Sequence, residues 1–246
     1  MSGLVARALG AGAVRVCESG EGRPLMFLHG YDTHPGEAGF LARLAAGRRV
    51  IAPEHPGYGE SSAAGPLHDI VDQVLHYRLM VEQWVGGPVD VVGHCLGGMI
   101  AAEFAALCPH LTRRLVLVDS YGLWLDDMPL PDPFVIRPAD LLAAKFADSA
   151  DAAKVPAPVM GNHAAATRFL WPIPERGLSR RLPFVQAPTL VLHGAQDGLI
   201  PVAYAEALAA GIAGAQCMVL PGAGHFPMIE AEDAFVAAVE GFLDAG

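Results

Sequence analysis

Short apolar runs rich in β-branched residues alternate along the chain with longer segments of helical period. Runs that are apolar throughout, rather than at every second residue, indicate strands buried on both faces, as in a parallel sheet covered by helices. The predicted strands are residues 24–29, 48–54, 89–94, 115–119, 189–193 and 216–220, and the predicted helices are residues 37–46, 67–84, 96–107, 202–211 and 231–243. We therefore expect an α/β fold with a mostly parallel central sheet and helices on both faces.

One segment, residues 121–186, interrupts this alternation between two predicted strands. Ordinary connections between strands and helices take about 2–6 residues, so a segment of this length is an insertion. Its stretches 139–153 and 164–170 have helical character. We expect residues 1–120 and 187–246 to form a core domain and residues 121–186 to form a small, mainly helical lid inserted into it.

Composition and charge limit the classes of partner. With 52% hydrophobic and 17% charged residues, the chain has ample apolar mass for a buried core and too little charge for a disordered protein. Its net charge of −10 repels the phosphates of nucleic acids and anionic lipids, so we expect neither a nucleic acid nor a membrane as a partner. The oligomeric state is not indicated.

The cysteines and the N-terminal residues predict the compartment. The four cysteines include no C-x-x-C pair, which favours neither a zinc ribbon nor a disulfide framework and fits a reducing environment. Arg7 and Arg15 interrupt the apolar N-terminal run and leave no room for the core of a signal peptide, so we expect a cytoplasmic protein. Since the chain has no nucleotide-binding fingerprint and no H-E-x-x-H pattern, we expect no cofactor and no metal.

The motif G-H-C-L-G, centred on Cys95, follows a predicted strand and opens an alanine-rich helix. A sharp turn in this position holds its central residue at strained backbone angles, and glycines two positions before and after it relieve the crowding. The N-terminus of a helix also favours a thiolate and a developing oxyanion. A buried structural thiol is the alternative, but this setting favours Cys95 as a nucleophile.

From about residue 14 to its C-terminus, the chain resembles the α/β-hydrolase family. His29 and Gly30 end the first parallel strand, where the family has its oxyanion loop, and residues 53–61 resemble the turn after the next strand. The insertion has the position of the family's lid. Asp197 follows a late strand, and the motif G-A-G-H-F-P carries His225 before the last helix. The order of nucleophile, Asp and His is the one that this fold uses.

The resemblance implies a role for each of these residues. His225 would act as general base and then as general acid, and Asp197 would orient its imidazole. Asp197 also fits the pattern of an Asx-turn or helix-capping residue, and Asp119 is the rival acid, at a position that some relatives use. The oxyanion would be bound by the backbone N–H groups of Leu96 and Tyr31. His29, His94 and Asp32 would lie close to the site as supporting residues.

The chain departs from most of the family by carrying Cys95 where they carry serine, although thiol nucleophiles occur in dienelactone hydrolases. Attack can then begin from a thiolate–imidazolium pair, and the acyl-enzyme would be a thioester. The expected function is a hydrolase of an ester, thioester or related carbonyl substrate. An acyltransferase or lyase on the same scaffold and a non-catalytic small-molecule receptor are the alternatives, and Cys95 can be native or an engineered replacement of serine.

The substrate is expected to be a small molecule of apolar character. The inserted segment is aromatic, and such side chains can close over an apolar group or can form a small core of the lid itself. The candidate substrate-binding residues are Trp124, Phe134, Phe169 and Trp171.

Overall fold

A mostly parallel sheet forms the centre of the fold. The computed structural model describes residues 3–61, 67–157, 159–170 and 175–245. Within these residues the sheet has eight strands in the order β1-β2-β4-β3-β5-β6-β7-β8. They are β1 (Val5–Leu9), β2 (Gly12–Ser19), β3 (Arg23–Leu28), β4 (Arg48–Pro53), β5 (Val89–His94), β6 (Thr112–Val118), β7 (Thr189–Gly194) and β8 (Gln216–Leu220). Strand β2 pairs antiparallel with β1 and β4, and the other neighbours are parallel.

Helices cover both faces of the sheet, as predicted. They are α1 (Gly39–Leu44), α2 (Ile70–Trp84), α3 (Leu96–Leu107), α4 (Pro138–Lys145), α5 (Met160–Leu170), α6 (Val202–Gly211), α7 (Pro227–Glu230) and α8 (Glu232–Asp244). One buried cluster contains side chains of α2, α3 and α6, and a second contains side chains of α1 and α8. In the part of the chain that the structure describes, no helix is both long enough and apolar enough to cross a bilayer.

The two ends of the sheet differ from the prediction. Strands β1 and β2 form an antiparallel hairpin that the search for continuous apolar runs missed, because Val14 and Val16 are buried while Arg15 between them is partly exposed. That alternation is the signal of a strand buried on one face only. Strand β8 is an edge strand with four of its five residues exposed, so its continuous apolar run does not mean burial on both faces.

The inserted segment, residues 121–186, connects β6 to β7 and contains α4, a 3₁₀-helix at Ser149–Lys154, and α5. The predicted helix over 139–153 is broken after Lys145. Phe146 is extended there and stacks on Phe226 with ring centres 5.0 Å apart, and Asp148 caps the next turn by accepting a hydrogen bond from the N–H of Ala150. Tertiary packing and a capping residue therefore end the helix.

The described part of the inserted segment packs into the main core. Leu130, Ala166 and Phe169 join the cluster of α2 and α3, and Phe146 joins the cluster on the opposite face. The hydrophobic contacts of the segment thus extend to both faces of the sheet. Trp171 lies outside the described residues.

Candidate active site

Cys95 lies in a strained turn between β5 and α3, with φ 57° and ψ −117°. A positive φ is uncommon for a residue with a side chain. A methyl group on Gly93 would collide with the carbonyl of Gly97, and one on Gly97 would collide with the carbonyl of Leu28. Glycine is therefore required on both sides of Cys95, as the sequence motif predicts.

Backbone hydrogen bonds fix this turn to the end of β6. The N–H of Cys95 donates to the carbonyl of Val118 at 2.9 Å, and the carbonyl of Cys95 accepts from the N–H of Tyr121 at 3.2 Å. The Cys95 residue is only 1% exposed. A substrate therefore has to enter a closed site to meet the thiol.

His225 and Asp197 form a buried pair, with Nδ1 of His225 2.7 Å from Oδ2 of Asp197. The other carboxylate oxygen, Oδ1, accepts the N–H groups of Leu199 at 2.8 Å and Ile200 at 3.1 Å. Asp197 is thus both an Asx-turn residue and the partner of the imidazole. Burial raises the pKa of Asp197, but the charge and hydrogen bond of His225 lower it, and the net pKa is below its usual value. The carboxyl group is therefore ionised at neutral pH.

The pKa of His225 is raised well above its usual 6.5. Burial lowers it, but the negative charges of Asp197 and Cys95 raise it by more. Nε2 of His225 is buried and has no hydrogen-bond partner of ordinary geometry within the described residues. This arrangement can hold a thiolate–imidazolium pair and leaves Nε2 able to exchange a proton with a bound molecule.

Asp119, the rival acid, lies beside this pair without a hydrogen bond to His225. Its Oδ1 accepts the N–H of Gly194 at 2.9 Å and lies 3.3 Å from Nδ1 of His193. Burial, followed by the charge of Asp197, raises the pKa of Asp119 well above its usual range. The geometry therefore pairs His225 with Asp197 and leaves Asp119 as a neighbour that does not bond the imidazole.

Three buried side chains, Asp119, His193 and Asp197, have one polar atom each within 4.8 Å of the others, a spacing that a metal site could use. Each of them already has hydrogen-bond partners. Nε2 of His193, for example, donates to the carbonyl of Ile200 at 2.7 Å. We therefore treat the three as a hydrogen-bonded support for the loop of Asp197 and not as a metal centre.

The loop after β3 lies close to Cys95. A Cβ on Gly30 would lie 3.1 Å from Cβ of Cys95 and 3.0 Å from Nδ1 of His94. His94 in turn donates from Nε2 to the carbonyl of His225 at 2.7 Å. The backbone that carries the N–H of Tyr31 therefore lies close to the thiol, as an oxyanion-binding loop requires.

Buried neutral histidines hold this loop, and the sequence did not reveal their network. Nδ1 of His29 donates to the carbonyl of Gly30 at 2.7 Å, and its Nε2 accepts the N–H of His55 at 3.0 Å. Nε2 of His55 donates to the carbonyl of His29 at 2.7 Å, and its Nδ1 accepts from the hydroxyl of Tyr77 at 2.5 Å. Burial lowers the pKa of His29 well below 6.5 and that of His55 to about 3.

Two tyrosine hydroxyls near the site are buried and have no hydrogen-bond partner within the described residues. They belong to Tyr31 and Tyr121, whose rings are 6.2 Å apart. The ring of Tyr121 is 6.4 Å from that of His225. Buried hydroxyl groups normally find a partner, so a bound molecule with oxygen or nitrogen atoms would supply what these two lack. No motif marked Tyr121, because only the fold brings it to His225.

The predicted substrate-binding residues occupy different environments. Phe134 is half-buried, with its ring centre 5.7 Å from that of Tyr31, which brings it to the oxyanion loop. Trp124 is half-buried against the main core, and Phe169 is 4% exposed within it. Among these three, the contacts of Phe134 agree best with a place beside the substrate.

The chain is similar to known hydrolases over most of its length. A family model described as "Alpha/beta hydrolase family" matches residues 25–238. A 2-hydroxymuconate semialdehyde hydrolase from a Pseudomonas species is 31% identical over 258 residues, which cover 92% of this chain and 88% of that protein. A 2-hydroxy-6-oxo-2,4-heptadienoate hydrolase from Pseudomonas putida is 26% identical, with 92% of this chain and 91% of that protein covered.

Solved structures share the fold. A meta-cleavage product hydrolase from Pseudomonas fluorescens matches with a TM-score of 0.80 at 20% identity, covering 99% of this chain and 97% of that one. A bacterial membrane phospholipase A matches with a TM-score of 0.82 at 23% identity, covering 99% of this chain and 86% of that one. At such identities the likeness concerns the fold alone.

Proposed function

Because the chain belongs to the α/β-hydrolase family, we propose that it cleaves an ester, thioester or related carbonyl compound through a covalent acyl-enzyme on Cys95. The chain is an enzyme of the hydrolase type that its relatives represent. One observation carries the proposal: the thiol occupies the strained turn at the start of α3 and interacts with an Asp197–His225 pair, whose outer nitrogen has no nitrogen or oxygen partner within the described residues.

The proposed reaction has two halves. Sγ of Cys95 attacks the carbonyl carbon, the carbonyl electrons move to its oxygen, and the N–H groups of Leu96 and Tyr31 hydrogen-bond the oxyanion. As the tetrahedral intermediate collapses, the leaving group takes the proton from Nε2 of His225 and a thioester remains. Water then gives its proton to the same nitrogen and attacks the thioester, and the Cys95 thiolate leaves with the free acid as product.

The unpartnered polar atoms favour a substrate with several oxygen atoms. The hydroxyls of Tyr31 and Tyr121 are buried and lack partners in the described part of the chain, so one molecule can satisfy both of them. Two relatives are named for substrates of that kind, 2-hydroxymuconate semialdehyde and 2-hydroxy-6-oxo-2,4-heptadienoate. Hydrolysis of such a hydroxy acid with an aldehyde or ketone group is therefore the second candidate function.

Residues 121–186 are proposed to act as a lid over this site. Phe134 would contact the apolar part of the substrate, with Trp124, Phe169 and Trp171 as further candidates. The proposed compartment remains the cytoplasm, which is supported by four free thiols, since disulfides are rare in reducing compartments.

Intact-mass measurement tests the nucleophile. The protein is incubated with a panel of activated esters and thioesters and with 2-hydroxy-6-oxo-2,4-heptadienoate. We expect the wild type to gain the mass of the acyl group and Cys95→Ala to gain none. Cys108→Ala, which also removes a buried thiol, is the matched control and should keep the adduct. Turnover of Cys95→Ala within a few-fold of the wild type would contradict the assignment.

Product analysis separates the remaining alternatives. Free acid as the main product supports hydrolysis, whereas fast and saturable transfer to an added amine, thiol or alcohol with negligible free acid would mark an acyltransferase. Tight binding of the panel with neither adduct nor turnover would mark a receptor.

A further inference from the structure

We infer that Lys145, at the C-terminal end of α4, is a positioning residue that holds the oxyanion loop and the His225 loop in place relative to each other. The inference rests on the proposed function, because it concerns the positions of the proposed catalytic groups. Lys145 belongs to the inserted segment, and no sequence motif singled it out.

The end of α4 accepts hydrogen bonds from both loops of the Asp–His pair. The last carbonyl groups of an α-helix have no partner within the helix and need one elsewhere. Here the carbonyl of Ala144 accepts the N–H of Gly198 at 2.8 Å, and the carbonyl of Lys145 accepts the N–H of His225 at 2.7 Å. Since Gly198 directly follows Asp197, one helix end anchors both partners of the pair.

The approach of these loops to α4 is close. A Cβ on Gly198 would lie 3.0 Å from Cα and from the carbonyl oxygen of Ala144, and a Cβ on Gly224 would lie 2.6 Å from the carbonyl oxygen of Lys145. Both positions therefore carry glycine where the backbone needs the space.

The side chain of Lys145 reaches the third loop. Its Nζ lies 2.8 Å and 2.6 Å from the two carboxylate oxygens of Asp32, and both side chains are less than 10% exposed. The same ammonium lies 4.6 Å from the ring centre of Tyr31. Asp32 directly follows Tyr31, whose N–H is the proposed oxyanion donor, so Lys145 links that donor to the imidazole through its own backbone.

The charge of Lys145 has a second effect. Burial raises the pKa of Asp32, but the hydrogen bond of His163, the charge and hydrogen bond of Lys145 and, last, the charge of His225 lower it to about 2, so Asp32 and His225 interact electrostatically. With Lys145 present, the negative charge of Asp32 is balanced. Without it, the buried carboxylate would keep His163, whose Nε2 lies 3.4 Å from Oδ1 of Asp32 and which is kept in every variant, and the added negative charge would favour the imidazolium form of His225.

Other titratable groups also act on His225 and are kept constant in the test. They are Cys95, Asp197, Asp119, His94, His193 and Tyr121.

The test compares the chain's two lysines. Lys145→Met keeps the aliphatic stem and removes the charge, and Lys154→Met is the matched control, because the side chain of Lys154 is 62% exposed. We expect Lys145→Met to lower kcat by about 10- to 100-fold, since small displacements of catalytic groups have effects of that order, with KM changed by less than about threefold. The kcat of each variant is divided by the concentration of protein that forms the Cys95 adduct. A smaller folded fraction therefore does not lower the measured kcat.

The protonation of His225 provides the readout that a purely structural role would not move. Its pKa, followed by NMR or by the pH profile of kcat/KM, should rise in Lys145→Met and return towards the wild-type value in Lys145→Met/Asp32→Asn, where no net charge is left. Lys145→Arg keeps the charge and should stay nearer to the wild type in both readouts.

Two results would overturn the inference: a kcat per site in Lys145→Met equal to that of Lys154→Met, or a pKa of His225 that does not respond. If Lys145→Met does not fold, the double variant Lys145→Met/Asp32→Asn replaces it. This variant should show a lowered kcat and an unaltered pKa of His225. A wild-type kcat in the double variant would also overturn the inference. Failure of the proposed function would look different, because the wild type itself would then form no Cys95-dependent adduct.

Discussion

Because several histidines are buried in their neutral form, we predict that mild acid lowers the stability of the folded protein. Burial lowers the pKa of His34 and His76 to about 4 and that of His55 and His94 to about 3, against 6.5 for an exposed histidine. Below pH 6.5 these histidines therefore bind protons in the unfolded chain but stay unprotonated in the folded chain until the pH approaches their lowered pKa values. Stability contributed by these groups is present above pH 6.5 and is lost as the pH falls towards their folded values.

The size of the loss follows from these values. At pH 5 each of the four groups favours the unfolded state by about 2 kcal/mol, or about 8 kcal/mol together, which is comparable to the whole stability of a typical domain at roughly 5–15 kcal/mol. The raised pKa of Asp119 acts in the opposite sense, and the lowered pKa of His29 acts in the same sense as the four histidines. The stabilisation from the raised pKa of His225 is already complete below pH 6.5 and does not change in this range.

Urea unfolding at pH 7 and pH 5 measures the effect, and His34→Gln isolates one group. In the wild type, Nε2 of His34 donates to the carbonyl of Ala52 at 2.9 Å, a bond that the amide of glutamine can also make. Whatever its stability at pH 7, this variant should lose about 2 kcal/mol less between the two pH values than the wild type. The exposed control His110→Gln should lose as much as the wild type. If His34→Gln showed the wild-type loss, the reasoning would be refuted.

Three further predictions concern the site. Asp197→Asn should lower kcat far more than Asp119→Asn, because Asp197 bonds the imidazole whereas Asp119 bonds the N–H of Gly194; kinetics on both folded variants decide it, and the reverse order would reverse the assignment. Tyr121→Phe should raise KM or lower kcat by about 5- to 100-fold if its hydroxyl binds substrate, at roughly 1–3 kcal/mol, and an unchanged kcat/KM with stability intact would remove that role. In Cys95→Ala the pKa of His225 should fall because a negative charge is lost, which an NMR titration would show; no change would argue against a thiolate in the wild type.

Those parts of the fold could be predicted whose position in the sheet is reflected in the hydrophobicity of a few consecutive residues. The parallel strands and the turn at Cys95 were found because continuous apolar runs and paired glycines carry that information over a few residues. The hairpin of β1 and β2 was missed because Arg15 breaks its apolar run, although the alternation around it is typical of a half-buried strand. The apolar run of β8 is typical of a buried strand, yet β8 lies at an edge of the sheet. The local sequence does not show this, because the topology decides which strands have two neighbours.

The site was predictable only in its motif residues. Each oxygen of Asp197 has its own partners: Oδ1 makes the bond of an Asx-turn, and Oδ2 contacts His225, so the turn does not exclude the catalytic role, which stays a prediction. Lys145 and Asp32 were not recognisable as a pair, since 113 positions separate them and neither lies in a motif. Contacts between distant segments of this kind need the three-dimensional arrangement.

The placement of Phe146 and Phe169 in clusters on opposite faces of the sheet has a consequence for protein engineering. A segment that contributes to both clusters is not an interchangeable module. Exchanging residues 121–186 for the corresponding segment of a relative, in order to change specificity, would open a cavity on each face and would remove the carbonyl anchors at the end of α4. A chimera should therefore be grafted between residue 147 and the start of α5, so that α4, Lys145 and Phe146 remain with their original neighbours.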